Sequence, residues 1–407
     1  MVANLGRESC LQREHGLLRC RVNRLQSSIR KHLRKYQRKH GATMKAKKRR
    51  ERQGPQVRRI QVGERGSFTV SLPKRWAQQT GMKKGTRIEF TQQGGEGLLL
   101  TPFEQTKGEE EQTRCEILIP SDVTPDGVTR KIISLYVNGY SWIEVKSKSR
   151  DFPASIRDTI RDVARHKLVG TELINESSKS ATLQVLLSFP QLLVPDVLRR
   201  MSSILHFMQQ DAMQALASCD RELADQVVKI DDEIDRFSLY IIRQLKYAAQ
   251  HPLLLERIGL TSPPECLSYR IIIKSVERSA DHAVRLAKNS LVIQRPLNAK
   301  ILRNITTLSE SASKMMETAL QALFVRDYQL AERVLIDREA ISAAESKLVE
   351  RLLKERMPAS EMSALRLISE SLRRIGEYAT DIAEVVLNLT VQDSIEAYSP
   401  PSRADFF

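Results

Sequence analysis

MQQDAMQALASCDRELADQV, residues 208–227, returns 107 residues later as MMETALQALFVRDYQLAERV, residues 315–334. Met208 aligns with Met315, Ala212 with Ala319, Ala215-Leu216 with Ala322-Leu323, Asp220 with Asp327, Leu223-Ala224 with Leu330-Ala331 and Val227 with Val334. A shift of 96 then pairs Ser275 with Ser371, Arg278 with Arg374, Ala283 with Ala379, Ala287 with Ala383 and Leu291 with Leu387. The 11 residues of difference (107 against 96) fall in the connection between His251 and Pro264. Small and apolar positions recurring at fixed offsets mark a duplicated unit, so both copies should pack alike. Each copy has three amphipathic helices, at about 196–217, 221–249 and 264–293, then 297–325, 327–356 and 361–390. Cys219-Asp220, Arg295-Pro296, Arg326-Asp327 and Met357-Pro358 supply the other breaks. Long helices with short joins predict antiparallel neighbours, so residues 195–392 form an all-α tandem of two three-helix bundles.

Toward the N-terminus the pattern changes. Within residues 114–190, strands are expected at Cys115–Ile119, Ser141–Lys146, Glu172–Asn175 and Ala181–Leu187, and helices at Pro125–Asn138 and Pro153–Lys167. That βαβαββ order predicts a small two-layer α/β domain. A polar linker, Gln105–Thr113, precedes it. No glycine-rich phosphate loop follows any strand, and His166 is a lone surface-type histidine.

Residues 57–104 predict a small β module with strands Val57–Val62, Ser67–Leu72, Thr86–Thr91 and Gly97–Thr101 and a helical turn over Trp76–Thr80. Phe68, Val70 and Leu72 alternate with Ser67, Thr69 and Ser71, the period of a half-buried strand. Pro73 suits the first position of a helix, and Gly81 a left-handed stop. About 45 residues bury too little apolar surface to fold alone, so oligomerisation is expected. The run Arg59-Ile60-Gln61-Val62, Gly66-Ser67, Thr69-Val70-Ser71-Leu72-Pro73-Lys74-Arg75-Trp76 and Gly81-Met82-Lys83-Lys84-Gly85 resembles the AbrB/SpoVT swapped-hairpin module. The resemblance implies an interlaced homodimer that lays basic loops and helix ends on DNA, with Arg58, Arg59, Arg65, Lys74 and Arg75 as the candidates here. The chain departs from that pattern at Ala77 and Gln78, where well-studied bacterial members carry an arginine pair. A dimerisation module with a modest basic surface is the other reading.

Within the repeats, Ile230-Asp231-Asp232-Glu233-Ile234-Asp235 and Arg374-Ile375-Gly376-Glu377-Tyr378-Ala379 resemble the PhoU domain of phosphate-uptake regulators. Joined to the AbrB-like start, they make the whole chain similar to archaeal PhoU-type phosphate uptake regulators. That resemblance implies E/D-x-x-x-D pairs able to hold metal clusters. By spacing alone, two carboxylates four residues apart share one helix face and suit a common cation. Asp231 with Asp235, and Glu277 with Asp281, are two such pairs, which would form a four-carboxylate site for a divalent or iron-type metal ion, with Asp232 and His282 nearby. In the second copy Arg338, Ser342, Arg373 and Glu377 occupy those positions, and guanidinium groups repel a cation. Glu377-x-x-x-Asp381 survives one turn later. Metal is therefore expected in the first repeat only. The alternative is a solvated acidic face paired with Arg278 and Arg285.

Composition narrows the class. The 407 residues are 41% apolar and 28% charged, as in water-soluble globular chains. Apolar runs such as 186–195 are too short to span a membrane. Cys10, Cys20, Cys115, Cys219 and Cys266 lie far apart, which excludes a disulfide framework and a zinc finger and fits a reducing cytoplasm. No basic n-region followed by an apolar h-region opens the chain, so nothing argues for export. The net charge of +16 is concentrated: residues 1–57 hold 17 Lys and Arg against 3 Glu. Residues 1–56 are expected by composition to be a basic, disordered extension, open to three readings: a phosphate-neutralising arm, a solvated tail, or a segment partly absent if translation starts at Met44. Residues 393–407 are expected as a tail.

Three functions compete. The first is a dimeric, non-enzymatic transcriptional regulator of phosphate uptake that binds DNA through the β module while the helical repeats sense state or dock partners. The second is an adaptor that never touches DNA and docks on a phosphate transporter's ATPase subunit or a signalling kinase. An enzyme fares worst, because the chain has no P-loop, nucleophile elbow, H-E-x-x-H or paired Cys/His site.

Overall fold

The computed structural model describes residues 57–63, 66–93, 97–102, 113–120, 122–148, 151–187 and 192–395. The basic extension, Arg65 and the end of the expected tail lie outside the described residues. The chain divides into two compact units between Lys107 and Gly108.

In the first unit, β1 (Gln61–Val62) pairs antiparallel with β2 (Phe68–Thr69), and Gly66 takes a φ of +76° in the turn between them. A six-residue helix α1 (Lys74–Gln79) follows, and β3 (Ile88–Gln93) pairs with β4 (Gly97–Pro102) as a hairpin in register Phe90↔Leu100. Element order matches the sequence, with two corrections. The first two strands shrink to two residues each, because isolated from further partners they have few ladder bonds to extend them. Pro73 caps α1 from outside with extended backbone instead of occupying its first turn. Gly81 does take the left-handed conformation, at φ +68°. Of the side chains whose burial is described across 57–102, only Pro102 is buried. Phe68 is 77% exposed and Phe90 61%. The alternating strand has an apolar face that nothing among the described residues covers.

The second unit opens with the α/β layer. Its strands β5 (Arg114–Ile119), β6 (Trp142–Ser147), β7 (Thr171–Glu176) and β8 (Ser180–Val185) form one sheet in the order β5-β6-β8-β7. β5 and β6 run parallel, joined by α2 (Pro125–Val137), while β8 is antiparallel to both its neighbours. Thr124 caps α2 by accepting from the Gly127 amide. The core joins Ile119, Ile143, Val145 and Leu183 of the sheet to Val128, Ile132 and Tyr136 of α2 and Ile156 and Ile160 of α3 (Ala154–Asp162). The expected second helix is thus divided: α3 ends at Asp162 and a π turn, Val163–Lys167, completes it. Gly170 then takes φ +64°, where a Cβ would sit 2.1 Å from Leu187 Cγ.

Six helices follow: α4 (Val194–Ser218), α5 (Arg221–Gln250), α6 (Pro263–Ser290), α7 (Ala299–Val325), α8 (Tyr328–Leu352) and α9 (Ala359–Ile395). The duplication holds to the level of single turns. Cys219 and Arg326, 107 apart, both adopt left-handed backbone, at φ 55° and 52°. The aspartate after each, Asp220 or Asp327, caps the next helix by accepting from the amide of Leu223 or Leu330. Two expectations change. α8 stops at Leu352 instead of 356, and α9 runs on to Ile395, so the expected tail begins inside a helix. The two bundles are also not separate. Residues of all six helices make one continuous core, with Gln209 of α4 donating to the Ser309 carbonyl and hydroxyl of α7 at 2.8 and 3.0 Å. Three-helix units with apolar positions on two sides bury more surface by fusing than by standing apart.

The α/β layer is bolted to α5. Arg243 Nη1 donates to the carbonyls of Tyr136 (2.5 Å) and Tyr140 (2.9 Å), and Nη2 to that of Gly139 (3.1 Å). These carbonyls lie at the C-terminal end of α2 and in the turn after it, where a cation is favoured; that of Tyr136 also accepts from the Gly139 amide and that of Gly139 from the Thr113 hydroxyl. Lys246 adds a bond to Asn138 Oδ1 at 2.7 Å.

Candidate functional site

α5 carries Asp231 and Asp235 and α6 carries Glu277 and Asp281, on helices packed side by side in the first repeat. The four carboxylates lie within electrostatic reach of one another. Burial first, and then the charges of Asp235, Asp281, Asp232 and Glu277, push the Asp231 carboxyl up to about 7. More than a third of Asp235 is open to water, yet the desolvation of its inner side, with Glu277 and Asp281 beside it, raises it to about 6, against the pull of Lys274. Glu277 Oε2 is shielded from water and accepts no hydrogen bond, although the Lys274 ammonium is its ion-pair neighbour. Five acidic groups, Asp232 included, thus crowd one surface against a single lysine.

The expected pairing of this face with Arg278 and Arg285 does not occur. Arg278 instead faces the ring of Tyr378 on α9, 6.0 Å from its centroid, and Arg285 acts on His282. The carboxylates are close, but among the described residues no three His, Cys, Asp or Glu side chains converge to ligating distance.

In the second copy Arg373, standing where Glu277 does in the first, makes ion pairs of its own. Arg373 pairs with Glu377 and lies 4.0 Å from Glu345, and Arg374 Nη1 donates to Glu377 at 2.6 Å. Glu345, on α8, has no counterpart in the spacing argument, which considered only positions occupied in the first copy. Between the copies, His282 and Tyr378 occupy equivalent positions, with ring centroids 5.7 Å apart. Burial first, then Arg285, Arg374 and Arg373 against the opposing Glu377, holds His282 down to about 4, so it is neutral at physiological pH.

In the first unit, Arg58, Arg59, Lys74 and Arg75 are all exposed, the last two on the first turn of α1. Arg65 lies outside the described residues. No basic residue occupies the last turn of α1.

Residues 198–290 and 305–386 match the family described as "PhoU domain", one match to each repeat. The chain is 22% identical over 205 residues to the phosphate-specific transport system accessory protein PhoU homolog of Clostridium acetobutylicum, covering 49% of this chain and 91% of that protein. It is 29% identical over 204 residues to the protein of the same name from Pseudomonas aeruginosa, covering 46% and 78%. Among solved structures, PhoU from Pseudomonas aeruginosa aligns at 24% identity with a TM-score of 0.42, covering 49% of this chain and 96% of that one. No helix of the described residues is long and apolar enough to cross a membrane.

Proposed function

We propose, from the premise that the helical half of this chain is a tandem pair of PhoU domains, that the protein is a non-enzymatic regulator of phosphate uptake. The observation that carries this is the doubled match, one domain to each structural repeat, to a family whose relatives are named as accessory proteins of phosphate-specific transport. In this reading the first unit dimerises through its uncovered strand face and binds DNA through Arg58, Arg59, Arg65, Lys74 and Arg75. What supports dimerisation is the exposure of Phe68, Phe90 and Val62, an apolar set that a second copy would bury as in a swapped hairpin. What supports DNA contact is the exposed basic set together with the strongly basic extension.

The acidic cluster of the first repeat is proposed to take a divalent or iron-type cation. It fits in charge and in helix face: mutual repulsion among Asp231, Asp235, Glu277 and Asp281 is relieved by a cation, and Glu277 offers a water-shielded oxygen now ion-paired to Lys274. Binding would require these side chains to close together and Lys274 to yield. When bound, the ion would supply a charge that ties α5 to α6. Every other step belongs to the chain: α5 carries Asp231 and Asp235 near its middle and Arg243, the anchor of the α/β layer, about two to three turns further on, so a shift of α5 would be felt in both places.

A second reading, an adaptor docking on a transporter ATPase subunit or a signalling kinase without DNA, is favoured by the lack of basic residues in the last turn of α1. Fluorescence anisotropy of the full chain on duplexes taken upstream of phosphate-transport genes, across a salt series, separates the two. The regulator predicts preference over random duplex at physiological ionic strength, and the adaptor predicts none.

A further inference from the structure

α6 and α9, the third helices of the two copies, meet along a seam lined by repeat-equivalent residues. On α6, Arg278, His282 and Arg285 follow one another at steps of four and three and so share a face. On α9, Arg374, Tyr378 and Asp381 hold the equivalent places. Both faces turn toward each other. Arg278 and Arg374 approach the same Tyr378 ring, at 6.0 and 5.0 Å from its centroid, and Arg374 Nη2 donates to the Tyr378 hydroxyl at 3.0 Å. His282 lies 5.7 Å from that ring, within the field of Arg285, Arg373, Arg374 and Glu377.

The seam is unbalanced in a particular way. Glu377 is engaged by Arg373 and Arg374. Arg278 and Arg285 are exposed and make no ion pair with any described residue. Burial and then Glu384 raise the Asp381 carboxyl against the pull of Arg374 and Arg278, so a carboxyl already lies within the field of guanidinium groups from both repeats. At the centre, His282 is 6% exposed and its Nδ1 has no hydrogen-bond partner. Buried polar atoms are nearly always paired, and in the tautomer that carries its proton on Nδ1 this ring lacks an acceptor.

We propose that this seam binds a tetrahedral oxyanion, a phosphate or a phosphoryl group, bridging the two repeats. Arg278 and Arg285 supply charge and planar donor pairs that match oxyanion geometry. The Tyr378 hydroxyl, which accepts from Arg374 and keeps its own proton free to donate, and the buried His282 ring complete the shell. Asp381 is the internal competitor, whose carboxylate must give way. This adds a ligand site to the regulator reading, and it depends neither on DNA binding nor on metal in the acidic cluster.

Isothermal titration of the full-length, chelator-treated protein tests it, with inorganic phosphate in one arm and a nucleoside triphosphate in the other. Saturable binding is expected that weakens at least about tenfold in Arg278→Ala/Arg285→Ala and tightens severalfold in Asp381→Asn. All three residues are exposed, and opposite responses from the two variants cannot both arise from misfolding. Binding of inorganic phosphate with that pattern assigns the free anion. The same pattern with the triphosphate alone assigns a phosphoryl group carried by a larger molecule. No binding of either at millimolar concentration, or equal affinity in the double variant, overturns the site.

Discussion

Asp231 shows what the fold asks of a single side chain. Its carboxyl holds a proton up to about pH 7 in the folded chain, against about 3.9 when unfolded. Between those values the folded state binds more protons, so lowering the pH stabilises at this position and raising it destabilises. In metal-free protein, Asp231→Asn should therefore raise Tm at pH 7.5 and change it little at pH 5, by scanning calorimetry at both. An equal rise at the two values would point to packing instead of charge. His282 acts oppositely: its depressed basicity makes stability fall as the pH drops from about 6.5 toward 4. The metal proposal belongs here too. Metal content of purified protein should drop in Asp235→Ala/Asp281→Ala, and an unchanged stoichiometry ends the idea.

At the scale of elements, the informative features are turns. The left-handed residue followed by a capping aspartate recurs at Cys219-Asp220 and Arg326-Asp327 because both copies must reverse direction at the equivalent point after their first helix. Sequence alignment found the pair, and the structure supplies its reason. Gly170 is a different case, a turn where the left-handed backbone and the Leu187 side chain both exclude a Cβ. Gly170→Ala should destabilise the second unit by about 2 kcal/mol or more, combining left-handed strain with a forced shift of Leu187. Denaturant unfolding reads this directly, and a change below about 0.5 kcal/mol would show that the β7 end relaxes freely.

For the whole molecule, Arg243 is the joint. One guanidinium from α5 donates to three carbonyls at and just beyond the end of α2. Arg243→Ala should cost about 2–3 kcal/mol and let the α/β layer melt ahead of the helical repeats, visible as a split calorimetric transition. A single undivided transition at lower temperature would place the coupling elsewhere. The first unit makes its own demand. Each large apolar side chain moved from water into an interface contributes roughly 1.5–3 kcal/mol, and Phe68 and Phe90 are both open to solvent. Full-length Phe68→Glu/Phe90→Glu should sediment as a monomer where the parent sediments as a dimer. A parent chain that is itself monomeric at micromolar concentration would remove the dimeric regulator.

Periodicity and self-similarity alone determined the six helices, their duplication, the βαβαββ order and the four carboxylates of the first repeat, because each rests on spacing along one chain. The same comparison identified the arginines that displace carboxylates in the second copy, but not Glu345, which neutralises one of them from another helix. Only the tertiary structure decided that the two bundles share a core, that Arg278 leaves the acidic face for Tyr378, that Arg243 anchors the α/β layer and that His282 is buried without a partner. These depend on which faces meet across helices far apart in sequence. A side chain's partners there are set by packing, and no local pattern encodes them.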